Sequence, residues 1–478
     1  MSKPAAVEPP SLVGSKIRMD IVGLIAAIVA VVVVMLLPTP QGLSPEGHRL
    51  AALFIAALIM WSTEAIPIAM TSVLVLALQP IFGLGPLGAA FTSFISPPFF
   101  FVLVMFAIAF AWVKTGLAKR FALWMISKAG TDTKRTVYVF MFGTGLISTI
   151  VSDVPCAAIF MAIAIGIFDK LGLQPGKSSF GKAVMMGIPI ASLIGGVGTP
   201  AGSSINILGL NIIEQNGGAR VPFLHWMAIG MPMVIILLPI AAWVICKFYP
   251  PEIKTIGNIE EIHRDRREMG SMSAKEKKVL VVMAAMLVFW IASTWYPAFD
   301  TTLVAILGAC VMFLPGMNIF DWKEVQGAVG WDALLMIGGV TSLGQLSGRT
   351  GLAKWMADST LSGLADWNII LVIAFISAFI VLIHLMLPIN PVIVVAMIPP
   401  IMVLANTAGV NPALYALPVI FTASCAFLLP LDAVPLVTYG KGYYRMFDMF
   451  VPGMVISAIW VVVMTALLLM IGPLVGLI

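Results

Sequence analysis

The chain has 478 residues, of which 60% are hydrophobic and only 10% are charged, whereas roughly 25% of the residues in a soluble domain are charged. This composition excludes a water-soluble globular enzyme, because too few polar residues exist to cover its surface, and it excludes a disordered chain. The four cysteines are too widely spaced to indicate a disulfide framework or a metal site. The net charge of +5 does not indicate nucleic-acid binding, because in a membrane protein the distribution of Lys and Arg sets the orientation.

Eleven apolar segments are each near the length of about 20 residues that a bilayer core requires. They predict an all-α polytopic membrane protein with about eleven transmembrane helices. Residues 1–19 are interpreted as a cytoplasmic tail before a retained first helix, since no small-residue cleavage site follows the apolar run. The predicted spans are residues 20–38, 48–66, 68–84, 97–113, 182–213, 224–246, 279–296, 300–317, 331–348, 412–440 and 449–476.

Two further apolar stretches, residues 136–168 and 368–404, are too long for one span and have polar, helix-breaking centres. We interpret both as re-entrant hairpins, which enter the membrane and return to the same side. Broken backbone at this depth is tolerated only where it is buried in protein or lines a cavity. The two centres read Ser152-Asp153-Val154-Pro155 and Pro388-Ile389-Asn390-Pro391.

The basic residues predict the orientation of the chain. With the N-terminus in the cytoplasm, the inside segments carry 23 of the 27 Lys and Arg residues, and such an excess is typical of cytoplasmic loops. The C-terminus is then outside, and the predicted location is the inner (plasma) membrane of the cell. Residues 247–278 are interpreted as a solvated cytoplasmic linker between two halves, with a regulatory segment as the alternative.

Three landmarks recur in the same order at an offset of 235 or 236 residues. They are the pentapeptide Thr115-Gly116-Leu117-Ala118-Lys119 with Thr350-Gly351-Leu352-Ala353-Lys354, Pro155 with Pro391, and helix breaks near Pro200 and Pro435. Five predicted spans separate the two pentapeptides, so the copies face opposite ways. We interpret residues 20–246 and 279–478 as an inverted repeat, which is the architecture of secondary transporters whose site lies at the midplane.

Asp153 and Asp432 are the two carboxylates predicted at midplane depth, and residues 367–431 contain no Asp, Glu, Lys or Arg. An uncompensated carboxylate inside a membrane is costly, so both are candidates for binding a cation or a proton. The alternative is a protonated or hydrogen-bonded carboxyl group that stabilises a helix break. His384 is interpreted as a satisfied interior residue rather than a proton relay, and Glu64 as a helix-capping or gating residue rather than a ligand.

The broken segments are rich in Gly, Ser, Thr and Asn. Unwound carbonyls and hydroxyls suit small hard cations such as Na⁺, and half-helix N-termini attract anions. An anionic substrate would need these dipoles and co-bound cations, because no basic side chain is predicted at midplane depth. No enzyme activity is predicted, since the four histidines are widely separated and no catalytic set of residues is visible.

On these residues the chain resembles the divalent-anion/sodium symporter family, which transports dicarboxylates, citrate and sulfate. The resemblance covers residues 20–476. Its motifs are Thr63-Glu64-Ala65-Ile66-Pro67-Ile68, Gly195 to Asn206, the two Thr-Gly-Leu-Ala-Lys repeats, and Ala423-Ser424-Cys425-Ala426-Phe427-Leu428-Leu429-Pro430. It implies eleven spans, two re-entrant hairpins, a scaffold domain that forms a homodimer, and a transport domain that moves as an elevator.

The resemblance also implies the site residues, with Na⁺ as the coupling ion and no other metal or cofactor. One cation site would contain Ser148, Ser152, Asp153 and Gly202, and the other Asn390, Asp432 and Ala433. The substrate would contact Ser152, Asp153, Val154, Ser203, Ile389, Asn390, Pro391, Ala433 and Val434.

The hairpin signatures depart from the family pattern of Ser-Asn-Thr. In the first hairpin Ser152 matches, but Asp153 and Val154 stand for Asn and Thr, and in the second only Asn390 is kept. Relative to the family pattern, each half also has an additional carboxylate, Asp153 in the first and Asp432 in the second. An added negative charge repels a dianion unless it is protonated or metal-bound, which favours proton coupling or a different anion without excluding sodium.

We therefore predict a secondary active transporter of small organic anions, with di- or tricarboxylates favoured, in a lipid bilayer and without a nucleic-acid partner. It would be coupled to Na⁺ or H⁺, or would exchange one anion for another. The alternative is a cation/proton antiporter of related architecture that uses Asp153 and Asp432.

Overall fold

A computed structural model describes residues 10–128, 130–255, 264, 266–387 and 389–477, with side chains from Asp20 onward. Residues 1–9 of the predicted tail, parts of the predicted linker, and Pro388 of the second hairpin centre lie outside this set. The described residues form helices, with one isolated bridge between Asp132 and Thr255 and no β-strand.

The 21 described α-helices are α1 (Pro10–Leu36), α2 (Pro45–Thr63), α3 (Ile68–Ile81), α4 (Leu87–Phe94), α5 (Pro97–Thr115), α6 (Leu117–Ile126), α7 (Thr133–Ser148), α8 (Asp153–Lys170), α9 (Ser179–Gly196), α10 (Ser204–Gln215), α11 (Phe223–Phe248), α12 (Ala274–Ala292), α13 (Thr301–Met312), α14 (Trp322–Ala328), α15 (Trp331–Arg349), α16 (Leu352–Met356), α17 (Ile369–Ile383), α18 (Asn390–Thr407), α19 (Pro412–Ala423), α20 (Ala433–Tyr439) and α21 (Phe450–Ile471). Short 3-10 or π turns follow at Pro200–Gly202, Ala357–Leu361, Ser362–Leu364, Met446–Met449 and Gly472–Val475.

Five described helices are long and apolar enough to cross a membrane, and a sixth span results if α14 and α15, which meet at 71°, are counted together. The sequence predicts eleven. The lower number arises because several apolar stretches are divided into helices of 10–17 residues, which are short for a bilayer core. The five are Pro97–Thr115, Ser179–Gly196, Phe223–Phe248, Asn390–Thr407 and Met446–Val475.

The order of helices repeats, so that α2–α11 correspond one to one with α12–α21. The members of three pairs have equal lengths: α2 and α12 each have 19 residues, α5 and α15 each have 19, and α8 and α18 each have 18. The repeated pentapeptide explains another pair. Gly116 and Gly351 have φ values of +84° and +77° and precede α6 and α16. A left-handed backbone favours glycine, so both copies of the pentapeptide keep it.

Each stretch predicted as a hairpin forms two helices around a short break. Residues 149–152 separate α7 from α8, and residues 384–389 separate α17 from α18. The structure places the next breaks at residues 197–203 and 424–432. The prediction of a break near Pro435 is therefore displaced: Pro435 lies in the first turn of α20, where the missing N–H of proline costs no helical hydrogen bond.

The two long helices α11 and α21 pack against each other, and each supports one break by close backbone contact. A Cβ atom added to Gly230 of α11 would lie 2.3 Å from the Val197 oxygen. One added to Gly453 of α21 would lie 2.0 Å from the Phe427 oxygen. Trp226 Nε1 also donates a hydrogen bond of 2.8 Å to the Val197 oxygen. The unwound segments are thus held against rigid helices within buried protein.

A buried ion pair fixes the segment before α12 onto α6. Arg120 Nε donates to Glu276 Oε1 at 2.6 Å, and the same guanidinium donates to the Met269 and Gly270 carbonyls. Ser273 and Glu276 form a capping box at the start of α12. Burial raises the pKa of Glu276, but the hydrogen bonds from Arg120 and Ser273 outweigh it and lower the pKa below its usual value.

Glu276→Gln is expected to destabilise the protein by about 1–3 kcal/mol, because Arg120 loses its charged partner. The lowered pKa means that this stabilisation is present above the ordinary pKa of Glu and is lost as the pH falls through the lowered value. Thermal unfolding of purified protein at several pH values measures both effects. Glu268→Gln is the control, because Glu268 pairs with Arg264 in an exposed contact, which contributes little. Equal melting temperatures of the two variants would contradict this account.

Candidate functional site

The break between α7 and α8 places a carboxylate among serines. Ser152 lies immediately before α8, and Asp153 begins that helix with 5% of its surface exposed. Ser148 Oγ lies 2.7 Å from Asp153 Oδ1, and the Ser203 hydroxyl forms a further hydrogen bond to this carboxyl group. The first turn of a helix favours an acidic group, since its free N–H groups carry partial positive charge.

Ser192 of α9 completes this cluster. Its hydroxyl donates to the Asp153 carbonyl at 2.8 Å, and its own carbonyl lies 2.7 Å from Ser148 Oγ. The Ser148 hydroxyl therefore faces two oxygens, Asp153 Oδ1 and Ser192 O, with a single hydrogen to donate. A proton on Asp153 supplies the missing donor, because a protonated carboxyl group can donate to Ser148 while Ser148 donates to Ser192.

Backbone carbonyls converge beside the carboxylate at Gly202. A Cβ atom on this residue would lie 2.5 Å from Gly196 O, 2.9 Å from Ser148 O and 3.0 Å from Thr149 O. We call these three oxygens the Gly202 cradle. A Cβ on Gly196 would lie 2.2 Å from Asp153 Oδ1, so the cradle and the carboxylate adjoin. Such a set of oxygens in unwound chain is the kind that holds Na⁺ in transporters.

Polar side chains fix the orientation of the cradle. Thr199 Oγ1 donates to Thr149 O at 2.6 Å. Asn206 Nδ2 donates to Gly196 O at 2.8 Å and to Thr199 O at 3.0 Å. The buried Asn206 Oδ1 has no hydrogen-bond partner in the described part of the chain. The break therefore keeps its carbonyls aligned and leaves one more oxygen free to accept a ligand.

The second half has a different set of residues around its break. Asp432 is 8% exposed and caps α20, with its Oδ1 accepting from Val434 N at 3.0 Å. His384, directly after α17, is 5% exposed, and its Nδ1 and Nε2 lie 2.7 Å from Ile380 O and 2.9 Å from Ala423 O. His384 and Asp432 line one small cavity together with Leu385, Ala426, Leu428, Leu429 and Leu431.

The two halves interlock at these breaks. Helix α20, which follows Asp432, packs against α8 and α9 of the first half. Helix α10 of the first half packs against α18 and α19 of the second. The Asp432 carboxyl group interacts electrostatically with Asp153, and His384 interacts with Asp432. The predicted carboxylates thus belong to one buried polar region.

The other predicted site residues differ in exposure. Asn390 begins α18 with 2% of its surface exposed, and its Oδ1 has no hydrogen-bond partner among the described residues. Ser203 and Val434 are buried. Ser152, Ile389 and Pro391 are half-buried, while Val154 and Ala433 are exposed. Asn390 therefore presents a free acceptor, but no described side-chain hydrogen bond joins it to the Asp153 cluster.

Sequence reasoning missed Ser192, and it interpreted His384 as a satisfied interior residue without placing it in this region. Ser192 lies one helical turn before the Gly195-Gly196 pair, which was the only local signal for it. His384 lies 236 residues after Ser148, the same offset that relates Pro155 to Pro391. This offset places His384 at the position in the second half that corresponds to Ser148 in the first half. Glu64, expected to cap a helix, has φ +49° at the C-terminal end of α2. Within the described residues no group of three His, Cys, Asp or Glu side chains could hold a metal ion.

The described chain is apolar and helical with buried polar breaks, and comparison with known proteins identifies its class. The model of the sodium:sulfate symporter transmembrane region matches residues 18–478. The chain belongs to this family and is an integral membrane transporter, not an enzyme. The resemblance to divalent-anion/sodium symporters is thereby confirmed.

Relatives with named functions include sodium-dependent dicarboxylate transporters called SdcS. The one from Staphylococcus saprophyticus is 28% identical over 95% of this chain and 92% of its own length. A protein from Cupriavidus necator, described as a membrane protein, is 28% identical over 86% of this chain and 84% of its own.

Solved structures share the fold at low identity. Neisseria gonorrhoeae MtrF, described among antimetabolite efflux pumps, has a TM-score of 0.52 and 12% identity, covering 95% of this chain and 94% of its own. The Alcanivorax borkumensis YdaH transporter has a TM-score of 0.51 and 12% identity, covering 81% of this chain and 86% of its own. At this identity the likeness concerns the fold alone.

Proposed function

We propose that this protein is a secondary active transporter of small organic anions, with di- or tricarboxylates as the favoured substrates. The observation that carries the proposal is the buried Asp153 beside the backbone carbonyls of the Gly202 cradle, an oxygen-rich region of the kind that binds a coupling cation or proton. The SdcS relatives, which are described as sodium-dependent dicarboxylate transporters, support a dicarboxylate as the substrate and sodium as a coupling ion.

The cation side of the proposal starts from Asp153. Ser148 has one hydrogen for two oxygens at 2.7 Å, so the cluster is satisfied when Asp153 is protonated. A cation in the cradle would equally neutralise the carboxylate. We therefore propose H⁺ coupling through Asp153, with Na⁺ coupling or anion exchange as the other modes. No other metal or cofactor is required.

The anion side uses the N-terminal ends of α8 and α18 and the N–H groups near them. Free N–H groups at such ends attract carboxylates. We propose that Ser152 and Asn390 contact the anion, with the chain next to Ser203 and Val434 completing the site. Residues 20–246 and 279–478 would be two inverted repeats with eleven spans and two re-entrant hairpins.

The large-scale features of the proposal follow from this architecture. A transport domain that contains both breaks would move as an elevator against a scaffold that forms the dimer. The protein would lie in the inner membrane with a cytoplasmic N-terminus and an outer C-terminus, as the basic residues indicate.

Uptake of labelled succinate or citrate into proteoliposomes, with imposed Na⁺ or pH gradients, tests the function. We expect uptake that depends on one of these gradients or on a trapped counter-anion. The second candidate is a cation/proton antiporter, favoured by the interaction between Asp153 and Asp432. Exchange of Na⁺ for H⁺ without any organic anion would establish the antiporter and overturn our proposal.

Asn390→Ala is expected to lower uptake about tenfold or more, which corresponds to about 1.4 kcal/mol of lost ligand contact. The melting temperature should not fall, because the buried Oδ1 that is removed has no protein partner. Uptake and thermal unfolding measured on the same preparation separate the two effects.

Asn211→Ala is the matched control, since Asn211 also has an unpartnered Oδ1 but lies inside α10 and not at the N-terminal end of a helix. It should leave uptake unchanged. Normal uptake by Asn390→Ala, or loss of uptake only together with loss of folding, would contradict a role for Asn390 in binding the anion.

A further inference from the structure

A basic residue lies at the end of each of two corresponding helices, α5 and α15. Lys114 is the last residue but one of α5, Arg349 is the last residue of α15, and each directly precedes one copy of the repeated pentapeptide. The two residues are 235 apart. The same offset relates Pro86 and Asp321, which directly precede α4 and α14. The two helix pairs can therefore be compared residue by residue.

The cation at the end of α5 has a carboxylate partner. Lys114 Nζ forms an ion pair with Glu324 in the first turn of α14. Glu324 Oε2 also accepts a hydrogen bond of 2.9 Å from Asp321 N. One carboxylate thus joins the end of α5 to the start of α14.

The cation at the end of α15 lacks such a partner. The residue 235 positions before Glu324 is Ala89, and Pro86 provides no side-chain cap for α4. Arg349 forms no ion pair with any residue that the structure describes. Its Nη2 donates to Leu84 O at 2.7 Å, which uses one of the five N–H groups of a guanidinium. The corresponding position therefore has the donors but not the acceptor.

A polar cavity lies where this carboxylate is missing. Ala89 and Arg349 both line it, together with Gln79, Pro86 and Ser93, and no acidic residue contributes to its lining. Gln79 is 3% exposed and donates one of its two amide N–H groups to Ser342 Oγ at 2.7 Å. The volume of the cavity is about 10 Å³, which is about the space that one particle the size of a water molecule needs.

The positive charge around the cavity has no nearby counter-charge along the chain. Residues 65–131 and 333–357 contain no Asp or Glu. The Arg49 guanidinium lies on the same turn, 3.5 Å from a Cβ atom added to Gly83, and its buried Nε has no hydrogen-bond partner in the described chain. Glu46 of α2 is exposed and forms no ion pair with Arg49. This field attracts an anion.

We propose that the cavity between α4 and α15 binds one anion of the size of chloride. The ion takes the place that the Glu324 carboxylate has in the other half: it accepts from Arg349 and from the first N–H groups of α4, as Glu324 accepts from Lys114 and Asp321 N. Sulfate and dicarboxylates are too large for the enclosed space. The inference goes beyond the proposed transport function, because it assigns a bound ion that stabilises the packing of α4 on α15.

Binding of radioactive chloride to the purified protein tests the site, with gluconate keeping the ionic strength constant. We expect about one ion per chain, since the cavity has room for one small particle. Ala89→Glu gives α4 the carboxylate that α14 has, and it should weaken chloride binding about tenfold or more. Gly88→Glu is the matched control, because it adds the same charge beside the cavity at an exposed position with no atom within 4 Å of an added Cβ. It should retain the ion.

Thermal unfolding in the same buffers gives a second measurement that needs no transport. Chloride should raise the melting temperatures of the unmodified protein and of Gly88→Glu, because a ligand that binds the native state stabilises it. Ala89→Glu should be equally stable in chloride and in gluconate. Arg349→Gln should also lose the effect of chloride. If Arg349→Gln does not fold, Ala89→Glu still decides the question.

Competition defines the size of the ion. Bromide should displace chloride, whereas sulfate and succinate at equal ionic strength should not. Absence of chloride binding, binding that Ala89→Glu leaves unchanged, or displacement by succinate as effective as that by bromide would each overturn the proposal. Absence of organic-anion uptake would instead overturn the proposed function and would leave the result on chloride standing.

Discussion

Replacing Gly202 with alanine is expected to reduce cation-coupled uptake about a hundredfold, equivalent to about 2.7 kcal/mol. The added Cβ would lie 2.5 Å from Gly196 O and 2.9 Å from Ser148 O. Both are backbone atoms, and Thr199 and Asn206 hold the surrounding carbonyls in place, so the cradle cannot widen to admit the methyl group. The substitution fills the space where we propose that the cation binds.

Gly166→Ala is the matched control, because Gly166 lies inside α8 and no atom lies within 4 Å of an added Cβ. Alanine favours a helix over glycine, so uptake should be unchanged and the melting temperature equal or higher. Uptake, cation dependence and thermal unfolding are measured for both variants. Gly202→Ala with a normal melting temperature and normal uptake would show that the cradle has no role in transport.

Much of the fold could be predicted from hydropathy and helix breakers. Apolar runs located the helices, and the helix-breaking centres at residues 152–155 and 388–391 adjoin the breaks at residues 149–152 and 384–389. The break assigned to Pro435 was misplaced, because proline is compatible with the first turn of a helix as well as with its end. The count of eleven spanning helices is not confirmed, since five or six described helices are long and apolar enough to cross a membrane and local hydropathy does not show where packing divides an apolar run.

The candidate site could be predicted only in part. Asp153 was a candidate from its predicted membrane depth, and Ser148 and Ser203 were candidates from family resemblance; the structure brings their side chains together. The roles of Ser192 and His384 depend on carbonyls that approach from helices about 40 residues away in sequence. Nothing local in the sequence encodes such contacts. The internal repeat could have paired Ser148 with His384, but the sequence does not show which donor and acceptor atoms approach each other.

Asp153→Asn is expected to reduce uptake driven by an inward proton gradient about tenfold or more, which corresponds to about 1.4 kcal/mol. Asparagine cannot lose or gain a proton, but its Nδ2 can donate to Ser148 while Ser148 donates to Ser192 O, as the protonated carboxyl group would. The protein should therefore fold normally and resemble the proton-loaded state. Asparagine is also the usual residue of the family signature at this position.

The measurement is initial uptake against pH in proteoliposomes, with and without Na⁺. We expect the pH dependence to flatten, while a dependence on Na⁺ persists or increases because the Gly202 cradle remains. Asp169→Asn, the same change at the exposed end of α8, should keep the original pH profile. If Asp153→Asn keeps it too, Asp153 does not carry the coupled proton. The Asp153 carboxylate would then be neutralised by a bound cation and not by a proton, and it would share the single hydrogen of Ser148 with Ser192 O. Na⁺ would become the coupling ion at this site.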